Sequence, residues 1–507
     1  MRCAHPDQFM PQGPTACASV NHARREGQYG ASSSIPSPPW SGGGAPSILP
    51  AMLVDEEPGP RRIPRRALVA VGAAVALVHA TLWWLYYRPV PKALWGDEFS
   101  YWRSAKALLA GDPGWWPDPL WPPLYPRLLA GIMEIGGPAL VWIQIVQTCL
   151  LAATAVLLHD LVRRLTGSRI AAAVAALLTL GFPPLVAYAH YLWPEIPHLF
   201  LLLAVVWVLV ARAERTVWCG VAGVAAGLAL LTKSLLGPFL PVLMVAAFAR
   251  RPAGRSLGRA LVFAAALALT VAPTVLEQHR RTGRLMIADS SAFNLWVGLN
   301  DRSRTDFGVD VVTGLFRDYQ ASAGSFAERD RIVREQIHGY LETHSWASVV
   351  RSHLGRQYFR LFDKDCYLTD QLPAGAAVER YSAGYLRADP AVAGAVRLSS
   401  YLLYGLLLAL APLGIALWRF RDRRWMRVLL LFVLYNLAIF FWLHVKSRYR
   451  IQLLPVAFLG AGCAVAWLDA RLRGDPEAAG VARWRWLAAI VTAGLLELLA
   501  FARPLLP

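Results

Sequence analysis

Two adjacent carboxylates, Asp97 and Glu98, follow the first long apolar block of the chain, in the stretch GDEFSY. At a membrane surface such a pair costs solvation free energy unless it has a partner or a role. One of the two could act as a general base that takes the proton of a hydroxyl group. The alternative is a helix start, because acidic residues are favoured in a first helical turn.

A third carboxylate, Glu195, opens a later apolar block and is preceded by His190 and Tyr191. It could also simply satisfy a helix dipole. His198 lies one turn further along the same helical face, so Glu195 and His198 could form half of a metal site. Because no matching ligands stand out elsewhere in the sequence, we predict no metal and no other cofactor.

Cations occur at two places between apolar blocks. Lys233 is the only charge between two such blocks, and Lys446, Arg448 and Arg450 cluster around Tyr449 late in the chain. Arginine presents a planar fork that matches phosphate oxygens, so the late cluster would suit an anionic leaving group. The alternatives are a snorkelling or lipid-binding lysine and interfacial anchoring of the cluster.

The composition indicates an integral membrane protein. Of 507 residues, 56% are hydrophobic and 17% are charged, whereas soluble domains carry about 25% charged residues. The apolar residues fall in blocks of about 17–25, the length of membrane-spanning helices. The net charge of +18 is concentrated in short arginine clusters between these blocks, as the positive-inside rule expects, which argues against a nucleic-acid partner. A soluble enzyme and a disordered protein are likewise excluded.

The sequence therefore predicts an all-α polytopic membrane protein with about 11 transmembrane helices, whose alternation places the arginine clusters between the apolar blocks on the cytoplasmic side and the Lys446–Arg450 cluster outside. Residues 122–137 are too short to span and predict an interfacial helix. The predicted spans are 67–87, 138–160, 169–189, 196–211, 216–232, 235–249, 258–277, 397–418, 426–443, 451–469 and 485–502.

Four domains follow from this threading. The tail is rich in Gly, Pro and Ser, cannot bury a core, and is predicted to be disordered; Met52 within it could be the true translation start. The outer segment carries apolar residues at three- and four-residue spacing, which predicts amphipathic helices forming a cap on the outer face. The predicted domains are a disordered tail (1–60), an N-terminal transmembrane module (61–277) with a first outer loop (88–137), an extracytoplasmic, mostly helical segment (278–395) and C-terminal transmembrane helices (396–507).

The ordered set of these motifs resembles the class C membrane glycosyltransferases, especially the protein O-mannosyltransferases and the lipid A aminoarabinose transferases of the family 39-like branch. The resemblance covers about 61–470. It departs from the family at Glu195, where many relatives have Asp, and at Tyr125-Pro126, where many have two tyrosines. The matching motifs are Asp97-Glu98 followed by Tyr101, the Pro-Pro-Leu-Tyr stretch ending at Tyr125, Glu195, Arg448-Tyr449, and an N-x-x-x-G-x-N stretch from Asn294 through Gly298 to Asn300.

The resemblance implies transfer of a sugar from a polyprenyl-phosphate donor to an acceptor on the outer face, with inversion at the anomeric carbon. Asp97 would be the base, and Glu98 and Glu195 would orient it or the acceptor. The phosphate would be held by Lys233, Arg448 and Tyr449, with Lys446 and Arg450 as further candidates. The candidate substrate-binding residues are Tyr101, Tyr125, His190, Tyr191, Asn294 and Asn300.

The implied location is a bacterial plasma or inner membrane, crossed several times, with a cytoplasmic N-terminus and an extracytoplasmic active site. The implied partners are the lipid-linked donor, membrane lipids, and a lipid, glycan or protein acceptor. A transporter or flippase of a lipid-linked saccharide is the alternative; transporters, however, carry charges at mid-bilayer depth and often have repeats, neither of which is visible here. An inactive relative that acts as a scaffold also remains open.

Overall fold

The computed structural model describes residues 72–73, 76–81, 94, 97–116, 119–249, 253–300, 309–364, 368 and 390–502. All of them belong to one compact unit, Ile63–Pro507. Every regular element among the described residues is a helix, which confirms the predicted all-α fold class. The predicted tail, 1–60, lies outside the described residues, as does most of the first predicted span.

From Asp97 to Thr282 the described residues form nine α-helices, and a 3-10 helix, Ser234–Phe239, leads into the eighth. The helices are α1 (Asp97–Leu109), α2 (Leu124–Gly136), α3 (Leu140–Thr166), α4 (Arg169–Gly181), α5 (Pro183–His190), α6 (Glu195–Ala211), α7 (Thr216–Thr232), α8 (Leu240–Phe248) and α9 (Ala253–Thr282).

The described residues beyond Thr282 form nine more, and a second 3-10 helix, Ser447–Leu453, precedes the seventh of these. They are α10 (Ser291–Asn300), α11 (Val309–Ser322), α12 (Phe326–Thr343), α13 (Trp346–Leu361), α14 (Pro390–Leu417), α15 (Arg423–Trp442), α16 (Leu454–Leu472), the single turn α17 (Pro476–Ala479) and α18 (Arg483–Phe501).

Six helices among the described residues are long and apolar enough to cross a membrane, and the pair α4 and α5, bent by 47°, could form a seventh span. Three more of the predicted spans correspond to shorter apolar elements: α6, α7 and the stretch Ser234–Phe248. The predicted count of 11 is therefore not confirmed. Part of the difference arises because these three elements are short, at 15 to 17 residues, below the usual spanning length. The rest arises because most of the first predicted span lies outside the described residues.

Local sequence explains where the important helices begin and end. Pro183 stands at the first position of α5, where its missing N–H costs nothing, and the helical axis bends there. The Asp422 carboxylate caps α15 by accepting the backbone N–H groups of Arg424 and Trp425, both at 3.1 Å. Glu195 at the start of α6 and Ser291 at the start of α10 both lie near the C-terminal end of α15.

Close helix packing depends on small residues, as is common in membrane proteins. α14 packs on α16, α16 on α4, and α9 on α7. A Cβ atom added at Gly460 would lie 2.5 Å from the carbonyl oxygen of Ala411, and one added at Gly414 would collide with the carbonyl oxygen of Gly460. The backbones of α14 and α16 therefore touch, and side-chain volume is excluded from this crossing.

The outer segment consists of packed amphipathic helices around a core of its own. Phe293, Val297, Phe326, Val333 and Val349 belong to one buried apolar cluster formed by α10, α12 and α13. Leu120, from the first outer loop, joins the same cluster. The domain boundaries that we drew from the sequence stay a prediction, although α9 continues to Thr282, past the predicted end of its span at 277.

We expect Gly414→Ala to lower the stability of the protein by about 1–3 kcal/mol, because the added methyl group overpacks the α14–α16 crossing. Thermal unfolding in detergent measures the effect. Gly494→Ala in α18 is the matched control, since a Cβ there meets nothing within 4 Å and reports only the helix propensity gained. Equal melting temperatures for the two variants would contradict the packing described here.

Candidate active site

A cavity of about 510 Å³ lies where α1, α6, α10 and both 3-10 helices meet the C-terminal end of α15. Its size is that of a small-molecule site. Seven of the sequence-predicted residues line it: Asp97, Tyr101, Glu195, Lys233, Asn294, Arg448 and Tyr449.

Four charges meet at this cavity and alternate in sign. The guanidinium of Arg448 forms an ion pair with the carboxylate of Asp97, 351 residues away in sequence. Its Nε lies 3.8 Å from Oε1 of Glu195. The same Glu195 oxygen accepts a hydrogen bond from Nζ of Lys233 at 2.8 Å. The side chain of Glu195 is only 2% exposed, so these cations compensate an otherwise costly buried charge.

Aromatic rings orient the cations. The guanidinium of Arg448 lies 4.6 Å from the centroid of the Trp193 ring, and the ammonium of Lys233 lies 5.7 Å from that of Tyr449. Tyr449 in turn stacks on Phe440, with centroids 5.7 Å apart. Such cation–π contacts stabilise the positive charges of Arg448 and Lys233 without an anion that would compete with a phosphate for them.

The electrostatics keep Asp97 ionised. Burial raises the pKa of its carboxyl, but the charges of Arg448, Lys446 and Lys233 and the hydrogen bond from Arg448 outweigh burial, and the net pKa is lowered. Tyr101 behaves differently: burial, together with the negative charges of Asp97 and Glu195, raises its pKa well above the ordinary value. The cavity therefore presents a carboxylate acceptor beside a phenol that remains protonated.

Glu98 lies outside the cavity lining and is fully buried. Its Oε1 accepts the backbone N–H of Leu192 at 2.7 Å, across 94 residues. Leu192 belongs to the break between α5 and α6, just before Glu195. The structure thus gives Glu98 a contact that holds the start of α6 against α1, in place of contact with the cavity.

A second set of buried polar groups holds the same break. The Tyr125 hydroxyl donates to Oε1 of Gln147 at 3.1 Å, and Nε2 of Gln147 donates to the carbonyl oxygens of Ala189 and Tyr191 at 3.1 and 2.7 Å. Tyr125 also meets Tyr101 edge-to-face, with centroids 5.0 Å apart. Tyr125 is thereby one residue removed from the cavity.

His190 and Tyr191 also lie behind the lining. Nε2 of His190 lies 2.8 Å from Nδ1 of His79, and the two rings stack with centroids 4.9 Å apart. Tyr191 stacks on Trp193 with centroids 4.3 Å apart and is fully buried. Tyr191 therefore supports the ring that carries Arg448.

Three further predicted residues are placed outside the lining. Arg450 is buried, donates to the carbonyl oxygens of Leu361 and Asp363, and faces the ring of Tyr404. Asn300 is exposed, and its amide donates to the carbonyl of Trp296 at 2.8 Å. Lys446 precedes the second 3-10 helix and acts on Asp97 through its charge.

The cavity includes groups that the sequence analysis missed. Ser290 and Ser291 line it beside Asn294, and Trp442 and His444 line it from the segment after α15. The only sequence signal for Trp442 and His444 was their position just before the Lys446–Arg450 cluster. Among the described residues, no group of three or more His, Cys, Asp or Glu side chains is arranged to hold a metal ion.

Residues 121–276 match the dolichyl-phosphate-mannose-protein mannosyltransferase family. The matched region contains Glu195 and Lys233. The resemblance to the family 39-like branch of the class C membrane glycosyltransferases, inferred above from ordered motifs, is confirmed. No curated protein sequence matches the chain.

The chain is also similar to solved structures at low identity. One is the apo crystal structure of the oligosaccharyltransferase from Archaeoglobus fulgidus, with a TM-score of 0.47 and 16% identity over 87% of this chain and 55% of that one. Others are of ArnT from Cupriavidus metallidurans, apo and bound to undecaprenyl phosphate, each with a TM-score of 0.35 over 80% of this chain and 79% of that one, at 16% and 15% identity. The chain thus spans about half the length of the oligosaccharyltransferase.

We expect Glu98→Ala to destabilise the protein by about 1–3 kcal/mol, because the backbone N–H of Leu192 would lose an acceptor inside the protein. Glu98→Gln keeps a side-chain oxygen and should be much milder. Thermal unfolding in detergent distinguishes the two variants. Equal stability of both would contradict an anchoring role for the Glu98 carboxylate.

Proposed function

We propose that this protein is an integral membrane glycosyltransferase that moves a sugar from a polyprenyl-phosphate donor to an acceptor hydroxyl. The observation that carries the proposal is the pairing of Asp97 with Arg448, beside Glu195 and Lys233, in one cavity. A carboxylate and a cation clamp are the two groups that such a transfer needs. The match of residues 121–276 to a family named for a lipid-phosphate mannose donor supports the same reaction class.

The position of the cavity relative to the cytoplasmic-type arginine clusters supports an extracytoplasmic site. The basic loop 419–424 precedes α15, whereas the cavity lies at the other end of that helix. The backbone N–H of Arg421 donates to the carbonyl oxygen of Leu165 at 2.8 Å, so Arg163 and Arg164 lie at the basic end too. Since basic residues favour the cytoplasmic side, we place the cavity on the outer face.

In the proposed reaction the acceptor oxygen attacks the anomeric carbon and forms a new C–O bond. The bond between that carbon and the donor phosphate oxygen breaks, and its electron pair leaves with the phosphate. Asp97 takes the hydroxyl proton. Because this is a single displacement, it inverts the anomeric configuration, and NMR of the product would show retention if the proposal were wrong.

The cations would stabilise the departing phosphate. Arg448 offers several N–H donors to phosphate oxygens, and Lys233 adds a second charge from the end of α7. Arg448 is engaged by Asp97, so an incoming phosphate would compete for the same guanidinium. Donor binding would thereby draw Arg448 away from Asp97 and release the base for the acceptor.

The remaining predicted residues would act on this centre from further away. Glu195 holds Lys233 and faces Arg448, which makes it a positioning residue for the clamp. Glu98, Tyr125, His190 and Tyr191 would support the α5–α6 break. The acceptor, whether a lipid, a glycan or a protein, would enter from the outer aqueous side.

We expect Asp97→Asn to reduce transfer roughly 10²- to 10⁴-fold, because the amide cannot accept the hydroxyl proton. The assay offers radiolabelled undecaprenyl-phosphate monosaccharides, with membrane extract as the acceptor source, to purified protein in proteoliposomes. Asp112→Asn is the matched control, since Asp112 caps an exposed turn at Gly114.

Full activity of Asp97→Asn would remove Asp97 from the base role. Donor that crosses the bilayer with its sugar intact, in wild type and variant alike, would instead support a flippase.

The pH profile should depend on Lys446. A lowered pKa keeps Asp97 ionised until the pH falls below it, so activity is present above this pKa and is lost as the pH falls through it. Lys446→Gln removes one of the charges that lower the pKa. The acidic limb of kcat/KM should therefore move to higher pH in this variant.

Lys106→Gln, at the far end of α1, is the control with the same change of charge. An acidic limb that stays in place in Lys446→Gln, or that moves equally in Lys106→Gln, would contradict the electrostatic role of Lys446.

A further inference from the structure

One wall of the cavity is polar but uncharged. Ser290, Ser291 and Asn294 contribute to it from the start of α10, and Trp442 contributes from the end of α15. The charged groups come from elsewhere: α1, α6, the junction after α7 and the second 3-10 helix. The cavity therefore offers two different chemistries to a ligand.

The polar atoms of this wall are available. Nδ2 of Asn294 donates to the carbonyl oxygen of Ser290 at 2.9 Å, within its own helix. Among the described residues, Oδ1 of Asn294 and the hydroxyls of Ser290 and Ser291 have no hydrogen-bond partner. Two hydroxyls and an amide oxygen can thus donate to and accept from a ligand's hydroxyl groups.

Backbone contacts fix the wall in place. The carbonyl oxygen of Asn294 accepts the backbone N–H of His444 at 2.8 Å. A Cβ atom at Gly298 would lie 3.1 Å from that nitrogen and 3.1 Å from the carbonyl oxygen of Trp442. Only glycine fits there without displacement, so α10 and the backbone of Trp442 and His444 approach each other closely.

The side chains of the wall suit a hydroxyl-rich, neutral ring. Trp442 is 40% exposed, and the rings of Phe441, His353 and Trp346 meet it edge-to-face. Its amphipathic ring therefore remains partly available for a ligand. Uncharged hydroxyl and amide groups suit hydroxyls, whereas a phosphate would be better served by the cations elsewhere in the cavity. We propose, on the basis of the proposed function, that this wall binds the sugar ring of the donor and determines which sugar is accepted. The residues concerned are Ser290, Ser291, Asn294 and Trp442.

The donor sugar suits this wall better than the acceptor does. A single oxygen atom joins that sugar to the phosphate, so the ring must lie in the same cavity as Arg448 and Lys233. The acceptor needs only its hydroxyl at Asp97, and its remainder can stay outside. A saccharide acceptor would offer similar chemistry, so binding is best measured without acceptor.

The experiment compares the affinity of purified protein in detergent for bare undecaprenyl phosphate and for undecaprenyl phosphate carrying mannose, glucose, galactose or arabinose. We expect wild type to bind at least one glycosylated lipid more tightly than the bare lipid. Asn294→Ala, and the double variant Ser290→Ala/Ser291→Ala, should weaken that glycosylated lipid about 3- to 10-fold for each hydrogen bond lost. Affinity for the bare lipid should not change.

Gln320→Ala, which removes an exposed amide from α11 of the same outer segment, is the control and should change neither affinity. Asn294→Ala keeps its backbone carbonyl and therefore its bond to His444. Thermal unfolding confirms that each variant is folded.

Several results would overturn the inference. One is a variant that loses affinity equally for bare and glycosylated lipids. Another is a variant with unchanged donor affinity and a raised KM for the acceptor. A third is a wild type that does not prefer any of the glycosylated lipids over the bare lipid. Failure of wild type to bind even the bare lipid would overturn the proposed function as well. This result therefore distinguishes a failure of the proposed function from a failure of the sugar-binding inference alone.

Discussion

The contact between Arg448 and the two carboxylates of Asp97 and Glu195 is the constraint on which the site depends. A carboxylate as buried as that of Glu195 is costly in an apolar protein unless cations neutralise it. Arg448 and Lys233 supply those cations, and each carboxylate in turn fixes where a cation lies. Removing one member would leave the others with unbalanced charge, so the four residues act as a unit.

These four residues meet because several helices begin or end at the cavity. Glu195 starts α6, Lys233 follows α7, and Arg448 lies in a 3-10 segment that precedes α16. Interrupted helices expose backbone N–H and carbonyl groups, which must be satisfied inside the protein. Glu98 and Gln147 do this at the α5–α6 break through their contacts with Leu192, Ala189 and Tyr191. Several residues that resemble catalytic groups in sequence therefore serve the backbone of the site.

The sequence carried enough information to predict the fold class and the charged centre. Apolar block length indicated helices, and the placement of charge at block ends singled out Asp97, Glu195, Lys233 and Arg448, which the structure brings together. Sequence pattern does not record a side chain that bonds a distant backbone group. For this reason the contacts of Glu98 and Arg450, across 94 and 87–89 residues, could not be foreseen.

The helix count stays unconfirmed, and the uncharged wall was not predicted, for a different reason. Hydropathy does not distinguish a full span from a short apolar helix that ends at a cavity, as α6 and α7 do. Ser290 and Ser291 belong to common residue types without periodic signal, and Trp442 was absorbed into a predicted span. Their grouping arises only from the close approach of α10 and the segment after α15 at Gly298.

The ring of Trp193 beneath Arg448 restricts how that arginine can move. With an indole 4.6 Å from its centre, the guanidinium has one covered face and presents its N–H groups along its rim. A translation or rotation of the guanidinium parallel to the indole plane keeps this contact, whereas a movement away from the plane breaks it. A phosphate that approaches edge-on could therefore replace the Asp97 carboxylate while the guanidinium keeps its contact with the indole, so the geometry of the cation would be preserved during the exchange.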